Sequence, residues 1–286
     1  MLGRTVLADP VATGATLENP TFPDLPGAAP AAARAARLAR VGAAITYAVV
    51  RANLAGSTAA SPDAAVRARA TWQHRGSSAV LKALGVRLVV EGPRPSAAGL
   101  VVPNHFSMLD PFVVSAATAC AMTGRGDATE WPVLGKIAHA MAYVGVDRAR
   151  ARDATHFADA LQRRLAAGVN VCVFAEGTVS DGTTLLPFKT GAFEALVGTD
   201  AAVYPCYQQL VVGRTGRVED LRPLAWHREP MQRSIWRTLG YLPGLAVLRF
   251  GDPIPAAGET RKTLAAKTRA AVVALRDEVR HAYGLA

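Results

Sequence analysis

The sequence predicts an α/β domain with a mixed, largely parallel sheet flanked by helices, preceded by an N-terminal helical hairpin. Three observations carry this. From Val86 onward, apolar runs of strand length alternate with longer helix-like segments. Val169–Phe174 is nearly continuous in apolar residues, as strands buried on both faces are. Ahead of Val86 the chain is rich in alanine and arginine, a helix-forming composition. With 286 residues, half of them hydrophobic and 19% charged, the chain can bury a sizeable core and does not have a disordered composition.

In chain order, residues 1 to about 33 read as a disordered leader, because Pro10, Pro20, Pro23, Pro26 and Pro30 interrupt every element. A helix is expected from Ala31 to about Ala55, a turn over Gly56–Asp63 and a second helix to Leu84, stopped by Gly85. Residues 34–84 thus form the hairpin and 85–286 the α/β domain. Strands are expected at Val86–Glu91 and Gly99–Pro103, and a helix from Ser107 to about Met122. Further helices follow at Trp131–Met141 and from Asp153 to Gly168, the latter with Phe157, Leu161 and Leu165 on one face. After the strand at Val169–Phe174 come a short helix at Thr190–Val197, a strand at Ala201–Val212, a helix at Pro230–Leu239 and a strand at Leu245–Phe250. A C-terminal helix with Leu264, Ala271, Val272, Leu275 and Val279 as its apolar stripe ends the chain.

The formal net charge of +10 favours an anionic partner: nucleic acid, an anionic membrane surface or a phosphorylated substrate. Nucleic acid is disfavoured, since there is neither an RNP-like aromatic motif nor a basic recognition helix. Only 5 of the 32 basic residues are lysine, so genome composition also contributes to the charge. No segment approaches the roughly 18 consecutive apolar residues that a spanning helix needs. Val41–Val50, between Arg40 and Arg51, fits a core helix or an interfacial one. Three widely spaced cysteines without a CxxC argue against a disulfide framework or a cysteine zinc site. His74, His139, His156, His227 and His281 lack metal-ligand spacing, so no metal is expected. The absence of GxSxG, GxxxxGK[ST], GxGxxG and HExxH removes the main support for serine-hydrolase, P-loop, dinucleotide-binding and zincin readings.

Two polar clusters remain, each at the end of an apolar strand, where α/β folds place ligands and catalysts. The first is Asn104-His105-Phe106-Ser107-Met108-Leu109-Asp110. Ser107 and Asp110 have the spacing of a capping box, and a purely structural role is open to them. On one regular helix, His105 and Asp110 would point about 140° apart. If the helix starts at Ser107, the entering loop can lay the imidazole against the Asp110 carboxylate. A neutral histidine can then take a proton from a hydroxyl while the aspartate fixes its tautomer. The second cluster runs from Phe174-Ala175-Glu176-Gly177-Thr178 to Gly182, with Pro187-Phe188-Lys189-Thr190-Gly191 just after. It reads as a capped loop or as a polar substrate cradle.

Together the clusters resemble the glycerolipid acyltransferase family, typified by the 1-acylglycerol-3-phosphate acyltransferases. The likeness rests on NHFSMLD, then FAEGTVS about 70 residues later, then PFKTGAF. Tyr143–Arg148 and Val203-Tyr204-Pro205 are similar to two further blocks of that family. The resemblance implies His105 as general base and Asp110 as its orienting partner, without an acyl-enzyme. It implies an acyl thioester as co-substrate, either acyl-coenzyme A or acyl carrier protein, and no cofactor. Asn104, Ser107, Lys136, Arg148, Glu176, Gly177, Thr178 and Lys189 are the implied substrate-binding residues, with Lys136 and Arg148 candidates for an acceptor phosphate. A lysolipid such as 1-acylglycerol-3-phosphate is the implied acceptor, at the cytoplasmic face of the inner membrane, with the hairpin as interfacial anchor.

One departure matters. Val179 stands where the family's third block has an arginine, and valine cannot make bidentate contacts to phosphate. This leaves open a non-phosphate acceptor such as a lyso-ornithine lipid, and a catalytically inactive membrane-binding protein.

Overall fold

The computed structural model describes residues 29–130, 134–146, 153–182, 184–213, 218–220, 225–226, 230–242 and 244–285. Most of the expected leader and Arg148 therefore lie outside the described residues. The chain opens with α1 (Ala31–Ser57) and α2 (Pro62–Leu84), which pack on each other. Helix α1 takes in the last three residues assigned to the leader, because Pro30 precedes a run of helix-forming alanines. Ser61 caps α2 by accepting a hydrogen bond from the Ala64 N–H at 3.1 Å, and Gly85 ends it in the left-handed region at φ 74°. The helices come so close that a Cβ added at Gly76 would lie 2.5 Å from the Cβ of Ala48.

The sheet strands are β1 (Val86–Glu91), β2 (Leu100–Val102), β3 (Cys120–Arg125), β4 (Val144–Val146), β5 (Asn170–Cys172), β6 (Ala202–Gly213), β7 (Val218–Asp220), β8 (Gly244–Phe250) and β9 (Ile254–Pro255). Their order is β1-β8-β6-β2-β5-β3-β4, with β7 and β9 also paired to β6. The block β6-β2-β5-β3-β4 is parallel. Strand β8 runs antiparallel to β6 and parallel to β1, so the sheet is mixed. Alternation along the strands feeds both faces. In β8, Ala246, Leu248 and Phe250 join the core under α2, α3 (Asp110–Ala117) and α6 (Met231–Tyr241), while Leu245 and Val247 face α7 (Arg261–Ala282). Leu100 and Val102 pack with α5 (Asp153–Ala166) and the 3-10 turn Gly191–Leu196 on the α7 side. Cys120, Cys172 and Cys206 are free, buried and part of the same core cluster.

Two expectations need correction. The helix expected over Ser107–Met122 is only Asp110–Ala117 long, and the chain returns as β3 from Cys120. Thr118 is extended at φ −149° and ψ 140°. An unbroken apolar run does not distinguish a buried helix from a buried strand, and here it contains both. Ser107 therefore does not cap the helix. The preceding residue is Leu109, without a side-chain cap. The segment expected as a helix over Trp131–Met141 is helical as α4 (Leu134–Ala140) within the described residues.

Candidate active site

Strand β2 ends at Val102, and the chain leaves it through Pro103 into the buried Asn104. Asn104 is clamped to the neighbouring β6. Its Nδ2 donates to the carbonyl of Gln208 at 3.1 Å, and its Oδ1 accepts from the Gln208 N–H at 2.8 Å. The Gln208 side chain answers by donating from Nε2 to the Asn104 carbonyl at 3.0 Å. These bonds fix where the loop departs toward the next residue, His105.

Asp110, wholly buried in the first turn of α3, gathers the loop around a single oxygen. Its Oδ2 lies 2.8 Å from His105 Nδ1 and accepts from the Phe106 N–H at 2.6 Å and the Ser107 N–H at 2.8 Å. The Ser107 contact is the acidic half of the expected capping box. The serine half is missing, because Ser107 Oγ accepts from the Leu109 N–H at 3.3 Å instead. Burial pushes the Asp110 carboxyl above the usual carboxylate range, against the opposing pull of the imidazole and the two amides. Its Oδ1 is buried without a hydrogen-bond partner.

With Nδ1 turned to Asp110, Nε2 is the ring nitrogen left for a substrate. The His105 side chain keeps 18% of its surface exposed beside a fully buried carboxylate. Phe174 stacks on the ring, centroids 4.0 Å apart and planes 22° from parallel. The imidazole is thus held on one edge and one face.

The second cluster holds the backbone of the first. Glu176, 2% exposed, accepts from the His105 N–H at 2.7 Å on Oε1 and from the Leu186 N–H at 2.9 Å on Oε2. Ser180 donates to the His105 carbonyl from its N–H at 2.8 Å and its Oγ at 3.1 Å. Arg269 of α7 anchors the far side by donating to the carbonyls of Leu185 and Leu186 at 2.8 and 3.1 Å. Burial raises the Glu176 carboxyl to about 7 despite its two amide partners.

Gly177 turns the chain after Glu176 at φ 72°, where a Cβ would be strained and would meet Lys189 Cγ at 3.2 Å. Lys189, exposed, is brought beside this turn, its N–H donating to the Ala175 carbonyl at 2.7 Å. Thr178 is exposed at the same turn and Val179 is half-buried. Lys136 is exposed on α4, which packs against α1 and the 3-10 turn Gly126–Glu130. The structure thus brings His105, Asp110, Asn104, Ser107 and Glu176 into one bonded unit, with Gly177, Thr178 and Lys189 beside it. Gln208 and Leu186 were not singled out from the sequence, and Phe174 and Ser180 stood there only as members of the second cluster without a role of their own. The adjacent Gln208 and Gln209 inside an otherwise apolar strand were the available signal for one of them.

A histidine-aspartate pair at the carboxyl end of a parallel strand has the geometry that general-base chemistry needs. Comparison with known proteins narrows this. A family model described as Acyltransferase matches residues 87–209. The lyso-ornithine lipid O-acyltransferase of Brucella abortus is 33% identical over 183 residues, 59% of this chain and 67% of that protein. The 1-acyl-sn-glycerol-3-phosphate acyltransferase of Neisseria meningitidis is 36% identical over 126 residues, 43% of this chain and 49% of that one. The crystal structure of the 1-acyl-sn-glycerophosphate acyltransferase PlsC from Thermotoga maritima shares the fold, with a TM-score of 0.63 at 18% identity over 86% of this chain and 94% of that one. The chain belongs to the glycerolipid acyltransferase family and is an O-acyltransferase.

Proposed function

We propose that the enzyme moves a fatty acyl group from an acyl thioester to the hydroxyl of a lysolipid, with His105 as general base. The observation that carries this reading is the 2.8 Å contact between His105 Nδ1 and Asp110 Oδ2, which leaves Nε2 open. Nε2 takes the proton of the acceptor hydroxyl as its oxygen attacks the thioester carbonyl. The tetrahedral intermediate collapses by expelling the thiolate, which recovers the proton from the imidazolium. Asp110 stabilises that imidazolium and keeps Nδ1 as the donor. Such base assistance supplies a factor of roughly 10²–10⁴. Either acyl-coenzyme A or acyl carrier protein would serve as donor.

For the acceptor we favour a lipid without a phosphate, of the lyso-ornithine type. Val179 offers no charge where a phosphate-reading arginine is expected, and the Brucella relative carries that name. Lys189 is the basic residue beside the Glu176-Gly177 turn and suits a carboxylate or a single phosphate contact. The test is a comparison of kcat/KM for lyso-ornithine lipid and 1-acylglycerol-3-phosphate with one acyl donor. At least a tenfold preference for the former is expected. The reverse preference would remove the non-phosphate reading and leave the acyl transfer standing.

The acceptor and product of such a reaction reside in a bilayer, so the enzyme works at a membrane surface. No helix among the described residues is long and apolar enough to cross one. We therefore assign it a peripheral or monotopic position through the α1–α2 hairpin, on the cytoplasmic face, where anionic lipids attract basic segments.

A further inference from the structure

We propose that Arg51, Trp72 and Arg75, at the contact of α1 with α2, form a binding site for the headgroup phosphate of an anionic phospholipid, separate from the catalytic centre. This rests on the membrane-surface reading above and specifies where the lipid is gripped. Both guanidinium groups lie against one indole, 4.8 Å and 5.0 Å from the Trp72 ring centroid. Tyr47 meets the same ring edge-on, centroids 6.0 Å apart at 81°, and so fixes it between the helices.

Two like charges on one ring repel, yet no carboxylate among the described residues pairs with either arginine. Residues 31–84 hold eight basic residues and a single acid, Asp63. Three of the other five hairpin arginines are engaged: Arg34, Arg37 and Arg67 donate to the carbonyls of Ala29, Leu239 and Ala167. Arg51 and Arg75 are both exposed. An anion beside this ring balances the uncompensated positive charge, and phosphate matches the fork of donors that each guanidinium presents.

The neighbouring surface says where that phosphate comes from. Ala36, Ala39, Ala43, Tyr47, Val50 and Leu54 recur at helical spacing and are all exposed, forming one apolar face of α1 about 27 Å long. Tyr47, Val50 and Leu54 expose 58, 57 and 55% of their surface. An apolar helix face edged by arginines and an indole matches the boundary between acyl chains and headgroups. Tyr47 belongs to both the face and the cluster, so a phosphate on the two arginines lies at the rim of the apolar strip. That geometry selects a lipid headgroup over a free anion.

The test uses the full chain and vesicles of phosphatidylglycerol or of phosphatidylcholine alone, in about 0.1 M salt. The double variant Arg51→Gln/Arg75→Gln is compared with Lys262→Gln/Lys267→Gln, which removes the same charge from α7 on the opposite face of the sheet. Melting temperatures check that both fold. The native chain is expected to prefer phosphatidylglycerol. The first variant should lose about 30-fold in partition, from roughly 1 kcal/mol per arginine near an anionic surface. The second should lose less than about threefold, because its charges lie beyond a screening length of ~10 Å. Equal losses from the two variants would overturn the site and leave membrane binding intact. A native chain that binds neither vesicle would overturn both.

Discussion

At the residue scale, the proposed reaction turns on one buried oxygen. Asp110 Oδ2 accepts from the imidazole and from two backbone amides, so it sets ring orientation and loop conformation together. Asp110→Asn keeps the size and an acceptor oxygen for the three donors, but loses the charge that stabilises an imidazolium and puts an amide NH2 where the buried Oδ1 has no partner. We expect kcat to fall by at least 10³, as for His105→Ala, with thioester-cleavage assays as the readout. Glu176 makes a different prediction. Its carboxyl has a folded value of about 7 against an ordinary 4.5, so the folded state binds the extra proton more tightly. The associated stability is full below pH 4.5 and is lost as the pH rises through 7, by up to about 3 kcal/mol. The His105 and Leu186 amides nonetheless favour the ionised form, against the effect of burial. Glu176→Gln should therefore flatten the melting temperature between pH 4.5 and 7.5 while lowering kcat at least tenfold. A variant whose melting temperature follows the same pH course as the native chain would remove Glu176 as the titrating group.

At the element scale, tight packing replaces specific bonds. Helices α1 and α2 meet through the alanine of one and a glycine of the other, and a Cβ at Gly76 would overlap Ala48. Gly76→Val should force the helices apart and destabilise the chain by about 1–3 kcal/mol, seen in chemical denaturation. What the sequence disclosed follows the same physics. Helices α1, α2 and α7 and strands β1, β6 and β8 were legible, because periodicity, Ser61, Gly85 and the apolar alternation all agree. Strand β3 was hidden in an apolar run shared with α3, and β4, three residues long, carries too little pattern to read. The His105–Asp110 contact was legible because five-residue spacing excludes a shared helical face and so demands a loop. The structure puts the helix start at Asp110, which no capping rule indicated. Glu176 was expected to shape the acceptor site. Its two oxygens accept amides from segments 81 residues apart, a long-range pairing that local sequence does not encode.

At the scale of the whole molecule, charge and apolar surface act together. The chain carries +10, concentrated in part on a hairpin whose outward face is apolar, and the proposed acceptor is confined to a bilayer. Attraction to anionic lipid raises the surface concentration of enzyme without altering the His105 site. Electrostatics of this kind are screened over ~10 Å at 0.1 M salt and ~3 Å at 1 M. Turnover of a lysolipid presented in phosphatidylglycerol vesicles should thus fall steeply between 0.05 and 0.5 M salt. The same acceptor in neutral detergent micelles should show little change, because the proton transfer at His105 and the apolar contacts of α1 do not depend on the lipid charge. Parallel declines in vesicles and micelles would mean that salt acts on the catalytic site itself, and the division of labour between hairpin and α/β domain would fail with it.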